Sequence, residues 1–301
     1  MTTYTLCGWK VASEMPLPDL MTWAGDDRGA ELTIRLGAVP PLADPVDDGP
    51  LLQIGADGKC RLAVGGVAAF RVDAEGREIT VEPYAAIDTP DIRALLFGTV
   101  FAIVCFRRKL LPLHASGVRI GDSAVAFAGP SGIGKSTMAA SFFKRGYAVV
   151  SDDVAVIEPD APGGPRLLPA FPRLKLWRDV MNGFAFGTDG LERTCGALDK
   201  FQLPVNESFA AKSLPLAAVY HLGEVPEARQ EEITPLRGVD AFVAMERNIY
   251  RRDLGQKLMG SPAIFALSGK VAGAVDSVRF ARRISLARAE EIVSEIARRG
   301  T

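Results

Sequence analysis

Nine consecutive residues constrain what this chain can fold into more than any other feature: Gly129-Pro130-Ser131-Gly132-Ile133-Gly134-Lys135-Ser136-Thr137. They fit G-x-x-x-x-G-K-[ST], a loop whose glycines let successive backbone N–H groups converge on an anion while a lysine stands at the entrance of the next helix. The pattern carries that meaning only between a strand and a helix, and both flanks comply. Residues 123–128 form a short apolar run, as a buried strand does, and residues 136–145 are good helix formers that stop at Gly146. An apolar segment, Tyr147-Ala148-Val149-Val150, then leads into Ser151-Asp152-Asp153. The expected unit is strand, loop, helix, strand, with the two strands as parallel neighbours. A helix of about ten residues rises roughly 15 Å, and a strand of four or five residues covers about the same distance back. Asp152 and Asp153 are therefore expected beside the loop, at the carboxyl edge where open α/β sheets bind ligands.

That arrangement suits a nucleotide phosphate site, with all nine loop residues as candidate contacts. Lys135 is expected at the β/γ-phosphates and Ser136 at a Mg²⁺ ion. Adjacent carboxylates at a strand end are commonly a solvated turn. On the strand that follows such a loop they fit metal binding and proton acceptance better. Residues 111–120 read as a strand joined through a Gly121-Asp122 hairpin to the strand feeding the loop. The turn sets His114 on the loop's edge, in place to assist catalysis by bonding a carboxylate or a phosphate, although a lone histidine is as often structural.

The run His114-Ala115-Ser116-Gly117, the loop, Lys144-Arg145-Gly146-Tyr147 and Ser151-Asp152-Asp153 together resemble the C-terminal catalytic domain of HPr kinase/phosphorylase. The similarity is close from His114 to Glu158 and loose elsewhere. It implies an α/β fold, a P-loop-containing HPr kinase/PEP-carboxykinase-like catalytic domain with a mixed sheet. It also implies ATP and Mg²⁺ as cofactors and a serine hydroxyl on a peptide or small protein as acceptor. By the same resemblance Asp152 would be the base, Asp153 and Ser136 would serve the metal, and His114 would assist Asp152; the two aspartates are exchangeable in these roles. Two features depart from the family pattern: Pro130 stands where an acidic residue is frequent, and no glycine-rich signature of the reverse, phosphorolytic reaction is recognisable. The second favours a kinase without phosphorylase activity. The opening segment Tyr4–Leu20 and Phe171-Pro172-Arg173-Leu174-Lys175-Leu176-Trp177 also resemble the shorter HPr-kinase-like proteins of lasso-peptide clusters, some of which phosphorylate the C-terminal serine of a precursor peptide. The competing functions are a small-molecule phosphotransferase or carboxykinase-like enzyme, and a nucleotide-binding regulatory ATPase.

Net charge is −1 over 301 residues, which gives no argument for nucleic-acid or bulk membrane attraction. The four cysteines lack C-x-x-C spacing, so reduced thiols in a cytoplasmic protein are expected. No signal peptide is recognisable, and the most apolar stretch, Ala94 to Phe106, is too short to span a bilayer. The Arg107-Arg108-Lys109 that follows it suits the closing turn of a buried helix. Oligomeric state stays open, a homo-oligomer included.

Outside the catalytic unit, residues 1–88 read as a β-rich module packed on a body of residues 89–301. Leu32–Leu36 and Glu78–Glu82 alternate, and residues 59–64 and 67–72 flank Gly65-Gly66, a two-residue hairpin signal, so antiparallel pairing is expected. Residues 39–50 read as a loop. Thr89-Pro90 starts a helix running through Phe106. Arg173 and Lys175 share one face of an alternating strand, either solvated or turned toward phosphate. Residues 181–213 read as loop-rich with two short helices, a candidate lid that contains Lys200. Arg247, in the charged segment 246–252, is a candidate for stabilising a transferring phosphoryl group; His221 reads as structural. The final helix spans Leu286–Arg299 with a core stripe of Ala289, Ile292, Val293 and Ile296, and Gly300 as its stop.

Overall fold

The computed structural model describes residues 1–195, 198–226 and 230–299, so Gly300 lies outside the described residues. Alternating residues near the N-terminus build a nine-stranded sheet from β1 (Thr2–Leu6), β2 (Trp9–Ser13), β3 (Met21–Thr22), β4 (Leu32–Leu36), β5 (Pro45–Asp48), β6 (Leu52–Gly55), β7 (Cys60–Val64), β8 (Ala68–Val72) and β9 (Glu78–Pro83). Its order is β3-β1-β2-β4-β9-β8-β7-β6-β5. The sheet is mixed rather than antiparallel: β4 runs parallel to both β2 and β9. Long connections make this possible, because the chain between β4 and β9 detours through the β5–β8 meander and returns in its original direction. Two local expectations also change. Val64 pairs with Ala68, so the Gly65-Gly66 turn has three residues instead of two, and the expected loop at 39–50 contains edge strand β5, where proline is tolerated.

Pro90 opens α1 (Pro90–Leu95), which passes through a π-helical turn at Leu96–Val100 into α2 (Phe101–Arg107). Its α2 part is buried from Phe101 to Phe106, and apolar side chains along the whole helix join those of the first sheet in one core. Gly98 lies in the π turn, and a Cβ there would stand 3.2 Å from the Tyr250 hydroxyl, so the turn makes room for a residue of the candidate site. Arg108 closes the helix by stacking on Trp9, 3.9 Å from the ring centroid.

The second sheet contains β10 (Leu111–Leu113), β11 (Ala115–Ile120), β12 (Ser123–Ala128), β13 (Val149–Ser151), β14 (Ala155–Glu158), β15 (Arg166–Leu168), β18 (Leu214–Glu224), β19 (Glu232–Leu236) and β20 (Asp276–Arg282). Its path is β10-β14-β15-β18-β12-β11-β13, with β20 beside β18 and β19 beside β20. The Gly121-Asp122 hairpin forms with Ile120 opposite Ser123. It alters the strand arrangement expected around the loop. β11 folds back between β12 and β13 and is antiparallel to both, so those two strands are parallel but not adjacent. The parallel neighbour of β12 is β18. The strand expected over 111–120 also divides at His114, whose N–H donates to the Asn248 carbonyl at 2.8 Å.

Strand β12 shows why its sequence is apolar throughout. Ala124, Ala126 and Ala128 enter the core shared with the first sheet, while Val125 and Phe127 face a second core under α3 (Lys135–Lys144) and α8 (Leu286–Arg299). Helix α3 ends as its sequence requires: Gly146 takes φ 84°, its N–H bonds the Phe143 carbonyl, and Tyr147 N–H bonds that of Phe142. A separate two-stranded ribbon, β16 (Arg173–Trp177) with β17 (Lys200–Pro204), carries α4 (Arg178–Gly183) between its strands. Strand β17 lies in the segment read as loop and helix. The remaining helices are α5 (Gly238–Arg247), α6 (Arg252–Met259) and α7 (Ser261–Ala274). All four cysteines are free, and no helix among the described residues is long and apolar enough to cross a membrane.

Candidate functional site

The loop 129–137 leaves the carboxyl end of β12 and enters α3 through Gly134 at φ 94° and ψ 28°, a left-handed conformation that glycine adopts without steric cost. A Cβ at Gly134 would also lie 2.7 Å from Arg282 Nη2. Arg282 is fully buried behind the loop, donating from Nη2 to the Ile133 carbonyl and from Nη1 to that of Arg283, both at 3.1 Å, while its Nε has no partner among the described residues. No sequence pattern had marked this residue. Pro130, Ser131 and Gly132 are exposed at the tip. Lys135 is buried, and its ammonium donates to the Pro130 carbonyl at 2.9 Å. Burial pushes its pKa down to about 8, against the opposing pull of Asp152 and Asp153. Those two carboxylates thus share a field with the loop lysine, on the rim where the strand geometry was expected to bring them.

Asp152 and Asp153 follow β13, and their surroundings differ. Asp152 is 2% exposed; Oδ1 accepts the Ser116 hydroxyl at 2.5 Å and Oδ2 accepts the Lys175 N–H at 2.7 Å. Asp153 adopts φ 73°, rare for a residue with a Cβ, and its side chain keeps 28% exposure. Burial alone would raise its pKa, but the Lys175 ammonium, 2.7 Å from Oδ2, outweighs that and holds the carboxyl well below the usual range.

His114 Nε2 lies 3.7 Å from Asp153 Oδ1. The expected partner was Asp152, which is sealed instead between β11 and β16. Burial, then the positive charge of Lys135, lowers the His114 pKa to about 4, so the ring is neutral at pH 7. Tyr250 stands edge-on to it at 5.9 Å.

The other basic candidates separate. Neither Arg173 nor Lys175 lies on a solvated face; both are buried. Arg173 does not turn toward the loop but pairs with Asp19 at 3.3 Å and stacks on Phe171 at 4.7 Å. Asp19 also receives Arg93 Nε at 2.8 Å, which ties the segment after β2 to both α1 and β16. Arg247 is exposed at the end of α5 and lines a cleft of about 1310 Å³ together with His114, Gly129, Pro130 and His221. His221 occupies this place because β18 pairs Ala128 with His221. Its Nδ1 lies 3.1 Å from Asn248 Nδ2, so it accepts there and Nε2 carries the proton, buried and without a partner among the described residues. Burial lowers its pKa to about 4.

The site therefore belongs to an α/β protein with a glycine-rich loop between a central strand and a helix, faced by an acidic turn. No protein-family model matches the chain, and no curated protein matches it. Among solved structures, it is similar to the HPr(Ser) kinase/phosphatase from Coxiella burnetii, with 12% identity and a TM-score of 0.34 over 62% of this chain and 94% of that one.

Proposed function

We propose that this protein is an ATP- and Mg²⁺-dependent kinase that transfers the γ-phosphoryl group to a serine hydroxyl of a peptide or small protein, the C-terminal serine of a lasso precursor peptide among the candidates. One observation carries the reading: a buried lysine at the mouth of a glycine loop lies in the field of two carboxylates, and among the described residues its ammonium is bonded only to a backbone carbonyl. A triphosphate would supply the negative charge that Lys135 lacks. Mg²⁺ commonly takes one or two protein oxygens and completes its shell with phosphates and water. Ser136 and one oxygen of Asp153 suit that set, and bound metal would neutralise charge on the β- and γ-phosphates.

The different surroundings of the two aspartates support different work for each. Asp152 is fully engaged in the protein and sets the turn. Asp153 keeps access to the pocket, so in this reading it keeps the metal role that the family resemblance implies and also meets the acceptor hydroxyl, the role implied there for Asp152. Its low pKa suits an anion that orients the hydroxyl and takes its proton late, in a loose transition state where positioning and charge dominate. Neutral His114 lies near the same carboxylate.

The test is transfer from γ-labelled ATP to serine peptides, comparing wild type with Lys135→Ala, Asp153→Asn and Asp152→Asn. Labelled peptide, lost in Lys135→Ala and in Asp153→Asn, is expected. Phosphate release that needs no acceptor would make the protein a regulatory ATPase instead, and labelling confined to small alcohols would make it a small-molecule phosphotransferase.

A further inference from the structure

Three lysines stand around the acidic turn, and two are accounted for: Lys135 belongs to the loop and Lys175 to Asp153. The third, Lys200, comes from the β16–β17 ribbon. Register places Lys175 opposite Gln202 and Trp177 opposite Lys200. Opposed residues of an antiparallel pair project to the same face, and alternation along each strand keeps i and i+2 together. Lys175, Trp177, Gln202 and Lys200 therefore share one face. That face looks onto the carboxylates, since the Lys175 ammonium is 2.7 Å from Asp153. Lys200 sits one diagonal from Lys175, with Cα atoms about 7–8 Å apart, so a stem of equal length reaches the same region.

Lys200 is half-buried, and no carboxylate or hydrogen-bond acceptor holds its ammonium among the described residues. Its nearest described partner is the Trp177 ring, at 5.9 Å. Its charge is felt across the pocket, lowering the pKa values of His114, Lys135 and Asp153. An ammonium with no anion beside it, on a face already committed to the pocket, stands where a group transferring negative charge would pass.

We propose that Lys200 is a catalytic residue that donates to a γ-phosphoryl oxygen during transfer. This rests on the kinase reading above. In the step, the acceptor oxygen bonds to the γ-phosphorus while the bond from that phosphorus to the β–γ bridging oxygen breaks. ADP leaves with the electron pair, and the hydroxyl proton passes to Asp153. Lys200 keeps all its protons and stabilises charge on the equatorial oxygens. The ribbon thus brings to the loop a cation from outside it, the part played elsewhere by an arginine finger.

Lys200→Ala and Lys200→Arg, made in the full chain, test this with two measurements. Labelled-peptide transfer by Lys200→Ala is expected to lose about 10²–10³-fold in kcat with little change in acceptor KM, and Lys200→Arg to recover part of it. Independently of activity, NMR titration of the His114 ring in Lys200→Ala should give a midpoint above the wild-type value near 4. A wild type that transfers phosphate beside a Lys200→Ala variant equally fast overturns the proposal alone. An unmoved His114 midpoint overturns it too, because Lys200 then lies outside the pocket. A wild type that neither binds ATP nor labels any peptide overturns the kinase reading and this proposal together.

Discussion

Replacing Asp19 by asparagine should damage this protein far more than its position in an irregular segment suggests. Its side chain is 3% exposed and stands between two buried guanidinium groups, Arg93 at 2.8 Å and Arg173 at 3.3 Å, whose side chains are 4% and 8% exposed. Asparagine keeps the shape but removes the only described carboxylate within ion-pair distance of Arg173. Arg93 retains Glu192, which is largely solvated. Breaking a buried pair by deleting one partner costs about 3–5 kcal/mol, and the surviving Glu192 contact argues for the lower end, about 3 kcal/mol. At roughly 2 °C per kcal/mol for a chain of this size, the melting temperature should fall by about 6 °C. Urea unfolding and scanning calorimetry of Asp19→Asn measure both. A loss below about 0.5 kcal/mol, the scale of an ordinary surface change, would refute the claim that this ion triad joins the first sheet to β16. An apolar replacement of all three residues, Asp19→Leu with Arg93→Met and Arg173→Met, should recover most of the loss, since the cost lies in the stranded charges.

Lys135, with its pKa lowered to about 8, should lose its charge above that pH in the free protein. ATP affinity should then fall about tenfold per pH unit above 8, and calorimetry in two buffers near pH 8.5 should detect proton uptake on binding; pH-independent binding up to pH 10 would contradict this. Ser116→Ala removes the hydroxyl from Asp152 Oδ1 and should cost about 1–3 kcal/mol in urea unfolding. The two histidines are held neutral with pKa values near 4, below the unfolded value of 6.5. The unfolded chain therefore binds their protons first, and stability should drop as pH falls from 6.5 toward 4, with a slope approaching two protons in pH-dependent denaturation. A flat stability profile over that interval would show that neither ring is shielded.

Local signals were legible where one segment decides its own structure. The strand and helix that flank the glycine loop, the Gly146 cap of α3 and the stripe of Ala289, Ile292, Val293 and Ile296 on α8 depend on spacing alone, and each formed as read. What escaped depends on pairing between distant segments. The insertion of β11 between β12 and β13 follows from a hairpin whose turn was visible but whose outer partner was not. His221 looked like an ordinary buried histidine, and only the β12–β18 register sets it beside the loop. Arg173 and Lys175 were read correctly as sharing a strand face, yet nothing in five alternating residues reveals that one meets Asp19 and the other Asp153. Arg282 behind Gly134 left no trace in any local pattern, because nothing in the run Arg279–Arg283 tells which arginine turns inward behind the loop.

A crystal structure with Mg²⁺ and a non-hydrolysable ATP analogue would test the central claim most directly. The account predicts the triphosphate over residues 129–137, the Lys135 ammonium moved from the Pro130 carbonyl onto phosphate oxygen, and Asp153 rather than Asp152 facing the terminal phosphoryl group. A nucleotide seated away from this loop, or an Asp153 carboxylate turned from it with Asp152 freed in its place, would contradict the account.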